Sequence, residues 1–467
     1  MFLTKTKENA IVILAGDIYM ELYRKITDKI KKWYFDENKA LLIKGARQVG
    51  KTHAIRKTLD DIGCNYIEIN LIDSPQAIDV LRNAANIDEL IMGLSILTEK
   101  PIQKGNTVIF IDEAQRYKEF VSRIKFLVEE GSFRYILSGS LLGVEITNLD
   151  SAPVGYLSTL EMYPLDFEEF TQIAGITDDV IKHVKDSLCD RVPVMDVINE
   201  KLMSLFRQYL VVGGMPEAVS KFAETHNLND IVRIHEDIVA QYKLDFTQYE
   251  TEDKKLILTN IYDLVPAELL KQNRRFIVTD LKKGLHFDRV ENSFLWLKNA
   301  GVVISAYNST EPRIPLKLNE KQSLFKLYLS DVGLLTTIYG MGTKAKIISN
   351  DKTLNGGGLY ENAVAQELLS KGFRIYYYNS NRLGELDFVV EYNGKILPIE
   401  VKSGKDYTVH SALNNCINNA EYGIEEAFVF ANCNISKDNK ITYLPIYMVG
   451  FLTRESDMEI PIEHITF

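Results

Sequence analysis

The chain has 467 residues, too many for one ordinary domain, so two to four domains are expected. Its 46% hydrophobic and 25% charged residues are those of globular protein, and a net charge of −10 argues against a wholly basic protein that coats nucleic acid, while leaving room for a local basic patch. The four cysteines (Cys64, Cys189, Cys416, Cys433) lie far apart with no CxxC pairing, which argues against a disulfide framework or a zinc module and fits a reducing cytoplasm.

From the N-terminus, AIVILAG (10–16) superficially resembles a secretory signal, but it is short and Asp17 follows at once. Elsewhere no run approaches the roughly 20 apolar residues that span a bilayer, so no membrane partner is expected and the location is read as cytoplasmic. Residues 1–19 are expected to be an extra strand, or an extension upstream of a working start at Met20. Residues 20–35 have helical spacing. ALLIKGARQVGKTHAIRKTLD then reads as strand, Gly-bounded loop and helix, and NYIEINLID (65–73), TVIFIDEAQ (107–115) and FRYILSGS (133–140) read as strands. Continuous apolar strands separated by helical patterns signal a parallel sheet covered on both faces. Residues 20–160 are therefore expected to form a doubly wound α/β nucleotide-binding domain.

After YPLDFEEF (163–170) the pattern is helical to about 250, interrupted by a turn at VGGMPEAV (212–219). Residues 276–306 read as a short helix, a turn, a longer amphipathic helix and a strand pair, the order of a winged helix-turn-helix, and LYLSDVGLL (327–335) reads as a further helix. NGGG (355–358) is the best linker. Beyond it come helix LYENAVAQELLSK, strands FRIYYYN, ELDFVVEYN and KILPIEVKSG, a helix near 409–421 and strand AFVFAN. The expected architecture is thus α/β and multidomain: an N-terminal extension (1–19), a P-loop domain (20–160), a helical region (161–250), a winged-helix region (251–354) and a C-terminal α/β domain (355–467).

GARQVGKT (45–52) fits G-x-x-x-x-G-K-[ST] between a strand and a helix, the context a phosphate-binding loop requires. Gly45 and Gly50 let backbone N–H groups face phosphates, and Ala46, Arg47, Gln48 and Val49 complete the loop. The helix N-terminus adds partial positive charge. Lys51 is expected to reach the β and γ phosphates of ATP, and Thr52 to offer a hydroxyl to Mg²⁺. Asp112 ends an apolar strand, where an aspartate holds Mg²⁺ through water, and Glu113 is placed to polarise the attacking water. The competing reading is a strand that ends in a solvated acidic turn. Ser138 or Ser140 closes the next strand as a polar sensor of the γ-phosphate; the competing reading is an ordinary turn. Arg47, Arg116 and Arg134 lie near these motifs, and none is singled out as an arginine finger.

In the C-terminal region, strands 385–392 and 395–402 meet at Asn393-Gly394, a strong hairpin signal. A two-residue turn there puts Asp387 opposite Glu400, with Lys402 on the same face. Two carboxylates placed opposite destabilise a sheet unless a cation sits between them. Glu361 on the preceding helix, Asp387 on the second strand and Glu400-x-Lys402 on the third resemble the arrangement of the PD-(D/E)XK nucleases, which implies that Asp387 and Glu400 hold Mg²⁺ or Mn²⁺ and that Lys402 orients water or neutralises the phosphorane. The competing reading is a cross-strand surface charge cluster. Lys271, Arg274, Arg275, Lys282, Lys283 and Arg289 are candidate DNA contacts, against an ordinary solvated face.

Taken together, GARQVGKT, IFIDEAQ, ILSGS, YPLDFEEF, VGGMPEAV, FKLYLSDVGLL, LYENAVAQEL, GELDFVV and PIEVKSG resemble a family of bacterial and archaeal AAA-type ATPases. The C-terminal half of that family is a domain of unknown function similar to the PD-(D/E)XK nuclease fold. Two departures are Ala46 where the loop commonly carries proline, and Gly155-Tyr156 where many members have Gly-Arg. The resemblance implies a Mg²⁺-dependent ATPase whose cycle controls DNA engagement, with metal-dependent cleavage by the C-terminal domain. The alternative is an ATP-switched regulatory or scaffold protein with an inactive nuclease-like domain. A third reading is a signalling ATPase that assembles as a homo-oligomer, and in AAA-type enzymes a neighbouring subunit can supply the arginine finger.

Overall fold

The computed structural model describes residues 22–98, 102–141, 144, 155–248, 252–404 and 406–454, together with a short antiparallel pair, β1 (Val12–Leu14) and β2 (Asp17–Tyr19). The expected strand before Met20 is thus a pair of strands. By its internal packing the chain divides into two units that alternate along the sequence: Met1–Leu165, Val212–Tyr262 and Asp288–Val303 in the first, Asp166–Val211, Asp263–Phe287 and Ile304–Phe467 in the second.

The first unit is built on five parallel strands, β3 (Ala40–Lys44), β4 (Asn65–Asn70), β5 (Thr107–Asp112), β6 (Arg134–Gly139) and β7 (Leu157–Glu161), in the order β4-β5-β6-β3-β7. Strands β3, β5 and β6 are apolar on both faces, and nearly all of their residues are buried, as the continuous apolar runs require. One side chain layer, including Ile67, Ile109, Ile111, Phe120 and Tyr135, packs the sheet against the helices Pro75–Asn83, Ile87–Thr98 and Glu119–Glu130. The parallel arrangement brings the C-terminal ends of β3, β5 and β6 together, and that edge carries the phosphate-loop motif and both acidic residues.

The second unit carries an eight-stranded mixed sheet. Its strands are β8 (Val303–Ser309), β9 (Glu320–Leu329), β10 (Tyr376–Ser380), β11 (Gly384–Tyr392), β12 (Lys395–Val401), β13 (Ala427–Ala431), β14 (Ser436–Asp438) and β15 (Ile441–Pro445), in the order β14-β15-β13-β12-β11-β10-β8-β9. The hairpin forms at Asn393 (φ 50°) and Gly394 (φ 70°), both left-handed as a type I′ turn demands. Its register runs from Tyr392↔Lys395 to Phe388↔Ile399, one step short of Asp387 opposite Glu400. A register shift between Tyr376 and Tyr378 bends β11 beside Asp387.

One sequence expectation needs correction here. LYLSDVGLL is not one helix: Leu327–Leu329 complete β9, and a helix starts only at Val332, capped by the Asp331 carboxylate, which accepts from the Leu334 N–H. The alternation of buried and partly exposed residues was masked because the inner end of β9 is buried on both faces. In the stretch read as a winged helix, the structure has the helices Val278–Leu281 and Glu291–Asn299 followed by β8, which pairs with β10 in the large sheet.

Candidate functional site

The loop Gly45–Gly50 is shaped by contacts that exclude side chains. Gly45 has φ 151°, and a Cβ there would stand 2.1 Å from the Met162 carbonyl oxygen. Gly50 has φ 92°, and Gln48, at φ 65°, is a non-glycine in the left-handed region, a sparsely populated conformation that clusters at ligand sites. Arg24 braces the loop from outside: its guanidinium donates to the Val49 carbonyl (2.8 Å) and the Tyr163 carbonyl (2.6 Å).

Lys51 opens the helix Lys51–Ile62 and is buried, its ammonium donating to the Gly45 and Ala46 carbonyls at 2.9 and 2.8 Å. Burial pulls its pKa down to about 8, against the raising influence of Glu113 and Asp112. The Thr52 hydroxyl donates to Asp112 Oδ2 at 2.8 Å, and Ser138 Oγ donates to Asp112 Oδ1. The sheet order explains this chain of contacts. Strand β6, which carries Ser138, lies between β3 and β5, and Ile43 pairs with Ser138. Glu113 follows with φ 55°, a second strained residue, and its carboxylate accepts from Gln115 Nε2. Ser140 is buried near the same edge. Thr52, Asp112 and Ser138 are thus brought together, with Lys51 and Glu113 beside them. The set fits a magnesium–nucleotide complex: backbone amides at a helix N-terminus, a buried cation, and a hydroxyl beside a carboxylate. Arg134 is turned away from it. The Arg134 guanidinium lies over the rings of Trp33 and Tyr34 and donates to the Glu37 carbonyl.

Sequence reasoning missed a second set of contacts on the loop. The helix Leu228–Gln248 presents Gln241, Tyr242 and Asp245 to it. Arg47 Nη1 meets Asp245 Oδ1 at 2.7 Å, Gln48 Nε2 donates to Gln241 Oε1 at 2.9 Å, and the Tyr242 hydroxyl donates to the Arg47 carbonyl at 3.2 Å. An acid three residues after a tyrosine on an amphipathic helix carries no motif, so nothing in the sequence marked it.

In the second unit, Glu361 lies buried on the helix Gly357–Ser370. Arg274 Nη1 pairs with its Oε1, while the Tyr328 hydroxyl (3.2 Å) and Lys326 Nζ (3.5 Å) donate to its Oε2. Lys326, fully buried, also meets Glu385 Oε1 at 2.7 Å and Asp387 Oδ1 at 3.8 Å, and lies over the Tyr377 ring. Burial would lower the Lys326 pKa, yet Glu361, Asp387 and Glu385 raise it well above the usual value. Burial and Asp387 push Glu361 up to about 7 despite Lys326 and Arg274.

Asp387 Oδ2 accepts from the Val401 N–H at 2.9 Å, and Lys402 Nζ donates to Glu400 Oε1 at 2.9 Å. Glu400 Oε2 is buried with no hydrogen-bond partner. Burial, then Asp387, push the Glu400 carboxyl up to about 8, with Lys402 opposing. Glu400 with Asp387 beside it fits a single cation. Glu361 does not: protein donors already meet both of its oxygens. Among the described residues, no group of three or more His, Cys, Asp or Glu is placed to hold a metal ion. The alternation Lys326-x-Tyr328 would have signalled the extra donors had the stretch been read as a strand.

Of the candidate DNA contacts, Arg274 is taken up by Glu361, and Lys271 is paired with Glu268 and Asp280, both at 2.5 Å. Lys282, Lys283 and Arg289 are exposed, and Arg275 is half-buried. No helix among the described residues is long and apolar enough to cross a membrane.

Residues 37–171 match the AAA domain family, and this part of the chain has the AAA-type P-loop fold. Residues 203–345 match a domain of unknown function (DUF8612), and residues 356–449 another (DUF4143). No curated protein matches the chain. Among solved structures the chain is similar to a Walker-type ATPase of Pyrococcus abyssi, at 13% identity over 68% of this chain and 96% of that one (TM-score 0.42). It is also similar to a RuvB mutant of Thermotoga maritima, at 16% identity over 63% of this chain and 91% of that one (TM-score 0.28). A third is the FIGL-1 AAA domain in complex with ADP, at 15% identity over 38% and 69% (TM-score 0.24).

Proposed function

We propose that the chain is a Mg²⁺-dependent ATP hydrolase whose nucleotide cycle controls engagement of nucleic acid by the second unit. The observation that carries the hydrolase reading is the contact chain Thr52–Asp112–Ser138 beside the buried Lys51. Thr52 and Asp112 would hold Mg²⁺, which would supply charge neutralisation on the β and γ phosphates. Lys51 binds those phosphates. Glu113 accepts a hydrogen bond from the attacking water, and Gln115 fixes its carboxylate. Ser138 holds Asp112 in place. Nucleic-acid engagement by the second unit is supported by the exposed Lys282 and Lys283.

Two readings of the second unit rest on different residues. The pair Asp387 and Glu400, with Lys402 at 2.9 Å from Glu400, favours metal-dependent phosphodiester cleavage with Mg²⁺ or Mn²⁺. Saturation of Glu361 by Arg274, Lys326 and Tyr328 favours a site that no longer cuts, in an ATP-switched regulatory or scaffold protein, free to act as a homo-oligomer. A cleavage assay on single-stranded, duplex and branched DNA and on RNA, with Mg²⁺ or Mn²⁺, separates them. Cutting that disappears in the D387A/E400A double variant establishes cleavage. A wild-type chain that cuts none of these substrates leaves the non-cleaving reading. Loss of ATP turnover in Lys51→Ala is expected under both, and turnover that survives it overturns the hydrolase assignment.

A further inference from the structure

The helix Leu228–Gln248 meets the phosphate loop through Gln241, Tyr242 and Asp245, and the Asp245 contact is charged. Asp245 is buried, 5% exposed, while Arg47 is partly open to solvent. Arg47 belongs to the segment between the two loop glycines, whose backbone amides cradle the phosphates of a bound nucleotide, so its guanidinium borders the phosphate-binding loop. The Asp245 carboxylate also senses Glu113, Arg116 and Lys51, so the pair borders the proposed catalytic groups. A carboxylate so placed opposes an incoming phosphate unless its partner cation remains with it. Beside the pair lies a small cavity lined by Ser140, Tyr242, Phe246 and Trp296.

We propose that Asp245 is the competitor of ATP for Arg47: the terminal phosphate takes the guanidinium from Asp245, and the loss of that ion pair loosens the helix Leu228–Gln248 from the loop. Asp245 is thus a positioning residue, acting through Arg47, and the helix reports whether nucleotide is bound. The pair suits this role because it is poorly matched: burial holds the Asp245 pKa above the usual carboxylate value even with Arg47 alongside. The Gln48–Gln241 and Tyr242–Arg47 hydrogen bonds are neutral and keep the helix close when the ion pair opens. The inference rests on the nucleotide-site reading above.

The test measures binding of Mg²⁺·ATPγS to the full chain by calorimetry, with circular dichroism and thermal melting as folding controls. Asp245→Asn tightens binding about tenfold, the scale of one charge-assisted hydrogen bond no longer broken. Arg47→Ala weakens binding, and the double variant binds as Arg47→Ala does, because the effect of Asp245 passes through Arg47. Equal tightening by Asp245→Asn in the Arg47→Ala background overturns the proposal, since it shows only relief of general repulsion. Unchanged or weaker binding in Asp245→Asn overturns it too. Hydrogen exchange on the wild-type chain needs no substitution: amides of 228–248 exchange faster with Mg²⁺·ATPγS, and no change there refutes the release. Failure of the wild type to bind ATPγS instead overturns the nucleotide-site reading itself.

Discussion

Replacing Glu400 by glutamine is expected to stabilise the second unit at pH 8 and to leave it nearly unchanged at pH 4.5. Burial and Asp387 hold the Glu400 carboxyl at about 8 against an ordinary 4.5. A carboxyl whose pKa is raised in the folded state contributes stability fully below its unfolded pKa, and that contribution is lost as pH rises through the folded value. The loss therefore runs from pH 4.5 to about 8. At about 1.4 kcal/mol per pH unit its ceiling is about 5 kcal/mol. Lys402, partly exposed, stays to pair with the charge, so about 2 kcal/mol is the expected gain on removing it. The amide oxygen still accepts from Lys402, and the unpartnered Oε2 position becomes an uncharged NH₂. Urea unfolding at the two pH values measures the gain, with exchange protection of the Ala427–Ala431 amides reporting the unit that holds Glu400. A variant less stable than wild type at pH 8, or one stabilised equally at both pH values, refutes the reasoning. A gain confined to high pH also marks Glu400 as a residue kept for function at the expense of stability.

Lys326→Met leaves Glu361, Glu385 and Asp387 without their buried cation and is expected to destabilise by about 3–5 kcal/mol at pH 8, less at pH 5 where Glu361 is protonated; urea unfolding at both pH values checks it. Glu113→Gln is expected to keep ATP binding but to lower turnover on the order of 10²-fold, read by phosphate release against calorimetric affinity. Gly45→Ala places a Cβ 2.1 Å from the Met162 carbonyl oxygen, so the loop must shift, and nucleotide affinity falls by about tenfold or more in the same titration.

The sequence was most legible where chemistry constrains spacing. GARQVGKT follows β3 and opens a helix, and IFID ends at the same sheet edge, which sets Thr52 beside Asp112. The hairpin register was equally readable, since Asn393 and Gly394 both take positive φ and a two-residue turn then fixes every pairing along β11 and β12. What was not legible came from tertiary contacts that carry no local pattern. Asp245 lies 198 residues from Arg47, and Arg24 lies 139 from Tyr163. Lys326 was hidden by a wrong period: a strand buried on both faces reads like a helix start, and only the strand puts Lys326 and Tyr328 on one face toward Glu361.

The two buried lysines of these sites shift in opposite directions, and the contrast separates what each site does. Lys51 falls to about 8 because burial outweighs the pull of Glu113 and Asp112. Within the protein's own charges it is under-paired, the imbalance that an anionic ligand would relieve. Lys326 is just as buried yet rises, because Glu361, Glu385 and Asp387 surround it within 3.8 Å. That half of the second site is complete without any ligand. Glu400 Oε2, buried and without a hydrogen-bond partner, retains the imbalance that marks Lys51. A cation admitted by the second unit therefore belongs at Glu400 and Asp387 and not at Glu361. Manganese binding should accordingly survive Glu361→Gln and be lost in Glu400→Gln, and the reverse order would show that the cluster around Lys326 rearranges to take the metal.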